Sequence, residues 1–429
     1  MTETITSWAQ QVRDIRQCRI CGNPALERVI DLGKQALASL FNDGRPENQL
    51  DTPIPLEVMR CQAPPAGRGC GFVQLKQTVP PSILYQDYGY RSGINRTMRA
   101  HLEGLVREIE SRIPLRAGDL VVDIGANDGT TLLAYREPGL LRVGFEPSNI
   151  RPQRPDHGLH YLPAVFNRRD FHAQFPGRRA CVVTSIAMFY DVDAPIAFCE
   201  TLRDILADDG LWVLEMSYLG SMLEHNTFDT ICHEHLGYYS LHTLQQVIER
   251  AGFRFFDVAF NDANGGSLRC TLIKRDAPLV IPPEQQARID RARHHEREQG
   301  YLDPPRLAQF RSDVEQIRQD LVAFLERCRQ EGKRVYGYGA STKGNVLLQY
   351  CRIGRQHLVA IADRNPAKVG RTTLGTHLPI CSEDEMRRAR PDYLLVLPWH
   401  FLEEFMEREA GLRAGGTMFI VPFPHVRVV

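Results

Sequence analysis

Residues 120–131 read LVVDIGANDGTT, an apolar run that leads into a glycine-punctuated turn. Leu120 to Ile124 is an apolar run of strand length that stops at a glycine. Gly125 and Gly129 punctuate the turn that follows, where a missing Cβ lets a ligand approach the backbone. TLLAYR (131–136) then reads as helix. An apolar strand, a tight glycine turn and a helix start are the parts of a nucleotide-type α/β unit. The spacing Asp123-x-Gly125-x-x-x-Gly129 is not the dinucleotide G-x-G-x-x-G fingerprint. LLRVGFEP (140–147) supplies a second strand ending in Glu146, whose carboxylate can accept hydrogen bonds from both hydroxyls of a ribose.

Outward from this core, ACVVTSIAMFY (180–190) and GLWVLEMSYL (210–219) read as further strands, with the helical stretch PIAFCETLRDILADDG (195–210) between them. Such alternation predicts a doubly wound, largely parallel sheet, with ligands bound beyond the carboxyl ends of its strands. Ser185 to Tyr190 and Glu215 to Tyr218 are expected to line that cleft. RFFDVAFNDANGGSLRC (254–270) reads as a strand pair turning at Asn264-Gly265-Gly266-Ser267. An Asp/Gly turn followed by an acidic end to the second strand is how class I methyltransferases hold S-adenosylmethionine. A D-x-G turn alone occurs in other α/β folds, and Glu146 is what favours the methyltransferase. The expected contacts to S-adenosylmethionine are Asp123, Gly125, Asn127, Asp128, Gly129, Glu146, Pro147, Ser185 and Met188.

The densest chemistry lies in FDTICHEHLGYYSLHTL (228–244). His233-Glu234-His235 is not the zincin H-E-x-x-H, whose histidines stand one helical turn apart. In extended chain the two imidazoles would share a face, so an accidental metal pair and a hydrogen-bonded structural pair both remain open. A histidine suits the role of general base, because its unperturbed pKa of about 6.5 lies near working pH.

Cys18-Arg-Ile-Cys21 is followed by Gly22, the turn chemistry of a zinc knuckle, and Cys61 and Cys70 form a second pair. Four thiolates close a tetrahedral zinc site with no open position, so a structural ion is expected and a catalytic one is not. The second pair is irregular: the insert from Gln62 to Gly69, rich in proline and glycine, must loop out.

From about 275 to 331 the chain is charged and helical, as expected of solvated faces on a connector. KRVYGYGASTKGNVLLQY (333–350) then repeats the strand–turn–helix signal. Ser341, Thr342 and Lys343 are good partners for phosphate oxygens at a helix start, although no Ser or Thr follows the lysine as in a P-loop. Later strands are expected at 358–370, with Asp363 near the end, at 391–405 and at 415–424. This second Rossmann-like unit suits a substrate diphosphate better than NAD, although a purely structural or dimerising role stays open.

Lys and Arg total 52 and so do Asp and Glu, so no overall charge favours nucleic acid or a membrane surface. The polar start, MTETITSWAQ, has no signal h-region, and no apolar run is long enough to span a bilayer. A cytoplasmic protein is expected. Its 11 cysteines are then poor candidates for a disulfide framework.

Taken together, the motifs resemble the zinc-containing, S-adenosylmethionine-dependent sugar C-methyltransferases, which act on nucleotide-linked 4-keto sugars in deoxysugar biosynthesis. The similarity runs through the four cysteines, YGYRSGINRTMRAH (88–101), DIGANDG (123–129), GFEPSN (144–149) and FDTICHEHLGYYSL (228–241). It continues in NGGSLR (264–269), YGASTKGNVLLQY (338–350) and LPWHF (397–401).

The resemblance implies an α/β protein with a class I Rossmann-like core. The segments would be a zinc-binding part (1–79), a methyltransferase domain (80–275), a helical connector (276–332) and a smaller Rossmann-like substrate domain (333–429). The catalytic set would be His235 as the base, its neighbour His233, and Glu234, Tyr88 and Tyr90 around the sugar. Asn264, Ser267, Arg269, Ser341, Thr342, Lys343, Asn345, Asp363 and Trp399 would contact the nucleotide-linked sugar. A monomer or homodimer is expected.

The chain departs from the family at Cys232, where a tyrosine is usual, at Asn264, where a histidine is usual, and in AMFYDVD, which lacks a histidine before the Asp. The rival readings are an O- or N-methyltransferase on another nucleotide-linked acceptor, and a non-catalytic zinc and nucleotide-sugar binding module.

Overall fold

Leu120–Ile124 forms a strand with all five side chains buried, as a run covered by layers on both faces should be. The computed structural model describes residues 8–42, 51–62, 69–85, 89–152 and 158–429. Leu120–Ile124 lies inside a seven-stranded sheet, third from one edge. On one side Leu141–Phe145 and Leu159–Leu162 follow in parallel. On the other side Ala180–Ile186 and Leu206–Ser217 are also parallel. The final strand in sequence, Ser267–Lys274, inserts antiparallel between Leu206–Ser217 and Phe253–Asn261. The strand order therefore reverses between Leu120–Ile124 and Ala180–Ile186, and the crevice beyond that point is where such sheets bind ligands.

Two helices are shorter than their sequence suggests. The stretch expected to be helical to Gly210 ends at Ile205, because Leu206 begins the next strand opposite Ala180. The helix after the glycine turn spans only Thr130–Leu133, with Tyr135 turned into the core and Pro138 ahead.

The amino-terminal lobe is a four-stranded antiparallel sheet of Leu26–Gln35, Ile54–Cys61, Val73–Leu75 and Gly237–Tyr238. Its last strand comes from the His-Glu-His segment, with Gly237 opposite Gln74. The carboxyl-terminal unit is a six-stranded sheet ordered Ile380–Ser382, Ile361–Asp363, Val335–Tyr338, Tyr393–Val396, Met418–Val421, Arg427–Val428. Only the last strand is antiparallel. A two-residue pairing of Thr372–Thr373 with Phe41–Asn42 ties this unit to the amino-terminal lobe.

The connector consists of helices Pro283–Gln299 and Pro304–Gln330. It is less solvated than its charge implies. Leu307, Phe310, Val314, Ile317, Leu321 and Leu325 bury a stripe at helical spacing. Glu296 is itself buried and accepts from the Leu241 and His242 amides and from the Tyr218 hydroxyl, so it caps a helix of the methyltransferase sheet. Among the described residues, no helix is long and apolar enough to cross a membrane.

Candidate active site

A cavity of about 780 Å³ opens at the crevice and is lined by the seven-stranded sheet and by connecting segments of the amino-terminal lobe and the carboxyl-terminal unit. Its first wall is the glycine turn. Asp123 is buried at the end of its strand and accepts from the Thr184 hydroxyl at 2.6 Å, and burial pushes its carboxyl up to about 7. Gly125 has φ +75°, and a Cβ there would come within 3.2 Å of Met188, so only glycine leaves this cradle open. Glu146 Oε2 accepts from the Asn127 amide at 2.7 Å and Oε1 from the Ser148 amide at 2.8 Å. Each oxygen keeps a further lone pair for a ligand hydroxyl. These residues fit S-adenosylmethionine. Asp123, Gly125, Asn127, Glu146, Pro147 and Met188 all line the cavity.

Asn127 and Asp128 also hold a strap over the turn. The Asn127 side chain donates to the Tyr90 carbonyl and accepts from the Ser92 amide, while Asp128 accepts from the Gly93 amide. Asp128 therefore faces the strap, and Gly129 packs against Pro152, away from the cavity wall. Ser185 turns away altogether: it is fully buried and accepts from the Trp212 indole, on the opposite side of the strand from Thr184. Tyr90 lines the cavity; Tyr88 lies outside the described residues.

The second wall is the His-Glu-His segment, and its three side chains separate. His233 is buried away from the cavity with Nε2 donating to the Pro55 carbonyl, so it joins this segment to the amino-terminal sheet. Glu234 accepts from the Ser39 hydroxyl of the same lobe. His235 lies at the cavity, 4.2 Å from the Tyr190 ring. Its Nδ1 meets the Thr230 carbonyl at 2.6 Å. A carbonyl only accepts, so Nδ1 carries the proton and the lone pair of the neutral ring is on Nε2. Burial holds this imidazole down to about 4; Glu234 and the Thr230 carbonyl pull it up, and Lys343 pushes it down.

The third wall comes from the hairpin tip and the carboxyl-terminal unit. Asn264, Ser341, Thr342 and Lys343 line it. Asn264 has φ +54°, and its carbonyl accepts from the Lys343 ammonium. Ser341 caps the helix Thr342–Tyr350, accepting from the Gly344 amide at 3.0 Å.

Other residues expected here face elsewhere. The Ser267 hydroxyl is turned inside the hairpin onto the Ala263 carbonyl. Arg269 reaches Glu215 at 2.7 Å and Glu108 at 2.8 Å, behind the wall. Asn345 is buried and donates to the Ala38 carbonyl. Asp363 is engaged by the Ala340 and Asn365 amides. Trp399 packs behind Gly265, where a Cβ would come within 2.6 Å of the indole.

Several cavity residues escaped the sequence reading. Asp191 is half-buried beside Tyr85, which donates to it at 3.0 Å, and burial raises its carboxyl well above the usual range. His400 also lines the cavity, and burial followed by Lys343 lowers it well below the usual imidazole value. Its only signal was the LPWHF motif. Glu215, by contrast, was expected in the cleft and does line the cavity, where it accepts from His101 at 2.5 Å. Ser39 and Lys368 carried no signal, because their neighbours are remote in sequence.

Away from the cavity, Cys18, Cys21, Cys61 and Cys70 place their sulfurs within 4.8 Å of one another. Cys18 approaches Cys70 at 3.4 Å and Cys21 approaches Cys61 at 3.5 Å. Such separations suit four thiolates about 2.3 Å from a shared zinc ion. The Cys61 amide donates to the Phe72 carbonyl, which holds the irregular second pair together at a strand end. Residues 63–68 of the intervening insert lie outside the described residues.

Three family models match the chain: a zinc binding domain at residues 18–85, a methyltransferase domain at 95–257 and a C-methyltransferase C-terminal domain at 262–424. The gap between the last two, residues 258–261, falls within the strand Phe253–Asn261, so both models share one pair of strands of the seven-stranded sheet. C-methyltransferase NovU of Streptomyces niveus is 31% identical over 421 residues, which is 97% of this chain and 98% of that protein. Among solved structures, an S-adenosylmethionine dependent methyltransferase from Mesorhizobium loti shares 16% identity, covering 40% of this chain and 99% of its own at TM-score 0.32. The 1,6-didemethyltoxoflavin-N1-methyltransferase of Burkholderia thailandensis shares 15%, covering 42% and 80% at TM-score 0.32.

Proposed function

The chain belongs to the zinc-containing, S-adenosylmethionine-dependent C-methyltransferases, and from that premise we propose that it methylates the carbon alpha to a ketone in a nucleotide-linked keto-deoxysugar. The observation that carries this reading is His235, whose protonated Nδ1 is committed to Thr230 and whose basic Nε2 shares a cavity with Asp123 and Glu146. A ketone acidifies its α C–H because the resulting carbanion delocalises as an enolate. His235 Nε2 takes that proton, and the C–H electron pair becomes the enolate. Bound S-adenosylmethionine supplies an electrophilic methyl group on a sulfonium sulfur. The enolate carbon forms the new C–C bond as the C–S bond breaks, the pair leaving with sulfur, and the ketone is restored. Glu234 stands next to the imidazolium formed in the first step. The three walls position the partners and exclude water.

The nucleotide-linked acceptor is supported by the cavity's reach to Ser341 and Thr342 at the start of the carboxyl-terminal helix, where phosphate oxygens meet amide donors. In this reading residues 1–79 hold zinc, 80–275 the methyl donor and 333–429 the nucleotide, with 276–332 as connector. Tyr90, Asn264 and Lys343 border the acceptor's place.

The test is incubation with nucleotide-linked 4-keto-6-deoxy sugars in D₂O, with and without S-adenosylmethionine. Deuterium uptake at the α carbon and methyl gain on that same carbon are expected. In His235→Ala, methyl transfer should fall about 10²–10⁴-fold, the range for a lost general base, with S-adenosylmethionine still bound. Methyl gain on oxygen without exchange, or unchanged turnover in that variant, overturns the reading.

A further inference from the structure

Three cationic side chains line the cavity among the described residues: Arg13, Lys343 and Lys368. Two are engaged by acids of their own. Arg13 pairs with Asp193 at an exposed edge, and Lys368 stands 3.5 Å from Asp363 and donates to the Ala340 carbonyl at 2.6 Å. Lys343 is different. It enters from the carboxyl-terminal unit, its ammonium donates to the Asn264 carbonyl, and its charge pushes the imidazoles of His235 and His400 down. Asp229 is fully buried, and burial raises its carboxyl to about 6, while Lys343 first and then the Trp399 indole pull it back down. Asp229 sits one residue before Thr230, the carbonyl that orients the base. Burial lowers the Lys343 ammonium and Asp229 acts against that, so the buried carboxylate is the group that favours the lysine's charge in a dry site.

A phosphate-binding lysine belongs where a diphosphate enters. Lys343 instead lines the same cavity as the imidazole that removes the proton. Resting on the ketone reading above, we propose that Lys343 is a catalytic residue whose ammonium holds the acceptor's carbonyl oxygen and carries the enolate's negative charge, with Asp229 as its positioning residue. When His235 takes the α proton, the C–H pair moves onto the oxygen facing Lys343, and an ammonium already in place needs no reorganisation to meet it. When the carbon takes the methyl group, that pair returns, the ketone reforms and the lysine is unchanged. The Asn264 carbonyl supplies a further fixed bond that aims the ammonium. The turn Asn264-Gly265-Gly266 can lie so close only because Trp399 and Ser221 leave no room for a Cβ at either glycine.

The experiment measures deuterium exchange at the α carbon without S-adenosylmethionine, together with methyl transfer, in wild type, Lys343→Met and Lys343→Gln. Glutamine keeps a donor for the Asn264 carbonyl without the charge. Both variants should lose about 10²–10³-fold in exchange and in kcat, the usual loss of an oxyanion donor. Binding of S-adenosylhomocysteine, and of uridine and thymidine diphosphates, should stay within threefold of wild type. The acid limb of the methyl-transfer profile should move to higher pH, because the cation that pushes His235 down is gone while Glu234 and the Thr230 carbonyl still pull it up. Wild-type exchange with undiminished exchange in Lys343→Gln would overturn the lysine's role and leave the ketone reading intact. Loss of diphosphate binding with normal exchange would return Lys343 to the phosphates. An absence of exchange in wild type would instead sink the ketone reading.

Discussion

The two Rossmann-like units make the same turn and fill it differently. In the first, Glu146 at the end of the second strand accepts from the Asn127 and Ser148 amides at 2.7 and 2.8 Å. In the second, Asp363 occupies the matching place and accepts from the Ala340 and Asn365 amides, both at 2.7 Å. The units part at what stands beyond the acid. Tyr161 donates to the Ala126 and Asn127 carbonyls and leaves Glu146 facing the cavity. Lys368 instead donates to the Ala340 carbonyl and also stands against Asp363, so an internal cation occupies the side that a ribose would need. One backbone design thus gives an open acid in one unit and a closed one in the other, and the side chain over the turn decides which.

Exchanging the acids tests this contrast most severely. Glu146→Ala should weaken S-adenosylmethionine binding by about a hundredfold or more, because two charge-assisted hydrogen bonds are worth about 1.5–3 kcal/mol each. Asp363→Ala should leave that affinity within threefold. Calorimetry on both variants checks it, and equal losses would abolish the distinction.

Removing zinc asks whether either turn carries the base. Neither does: His233 is bonded to Pro55, Glu234 to Ser39, and Gly237–Tyr238 pairs with Val73–Leu75, all on the lobe that the four cysteines close. Chelation should therefore cut methyl transfer at least tenfold, as structural metal supports the lobe around it, while both turns survive. Binding of S-adenosylhomocysteine to the stripped protein should remain, and its loss in step with turnover would argue that the lobes are not separable.

The pH profile separates buried from open groups. His235 is held down to about 4, so kcat/KM should stay high through the usual histidine range and fall only as pH drops through about 4. The unfolded chain takes up this proton from about pH 6.5 downward, whereas the folded chain resists it until about 4. This residue's contribution to stability is therefore complete above about 6.5 and is lost as pH falls toward 4. An acid limb near 6.5 would remove the buried base.

The smallest effect is expected at the closed turn. Lys368→Met should cost about 1–2 kcal/mol of stability, as for a charged hydrogen bond in a partly buried site, with S-adenosylmethionine affinity unchanged. Denaturant melts of the variant check it.

Much of this was legible in the linear chain. The apolar run before Gly125, the acid at 146 and the repeat of the pattern at 335–350 are local signals, because backbone close approach and strand burial select residue types over a few positions. The cysteine spacing belongs to the same class. Side-chain direction did not follow from spacing. Ser185 and Asn345 sit in good motifs yet face the core and the amino-terminal lobe, since a strand or helix presents each residue to whatever packs on that face. Glu296, read as one charge among many on a solvated connector, is buried as a helix cap because another helix brings its amides there.

The two glycine turns, their acids, the metal-binding cysteines and the histidine-rich segment are written in local sequence. Long-range packing is what brings His235, and not His233, to the cavity, leaves Glu146 open and Asp363 closed, and carries Lys343 into the same cavity. The reason is physical. Turn geometry and metal ligation are settled within a few neighbouring residues, whereas burial, charge pairing and tautomer depend on atoms that long-range packing carries in from hundreds of residues away.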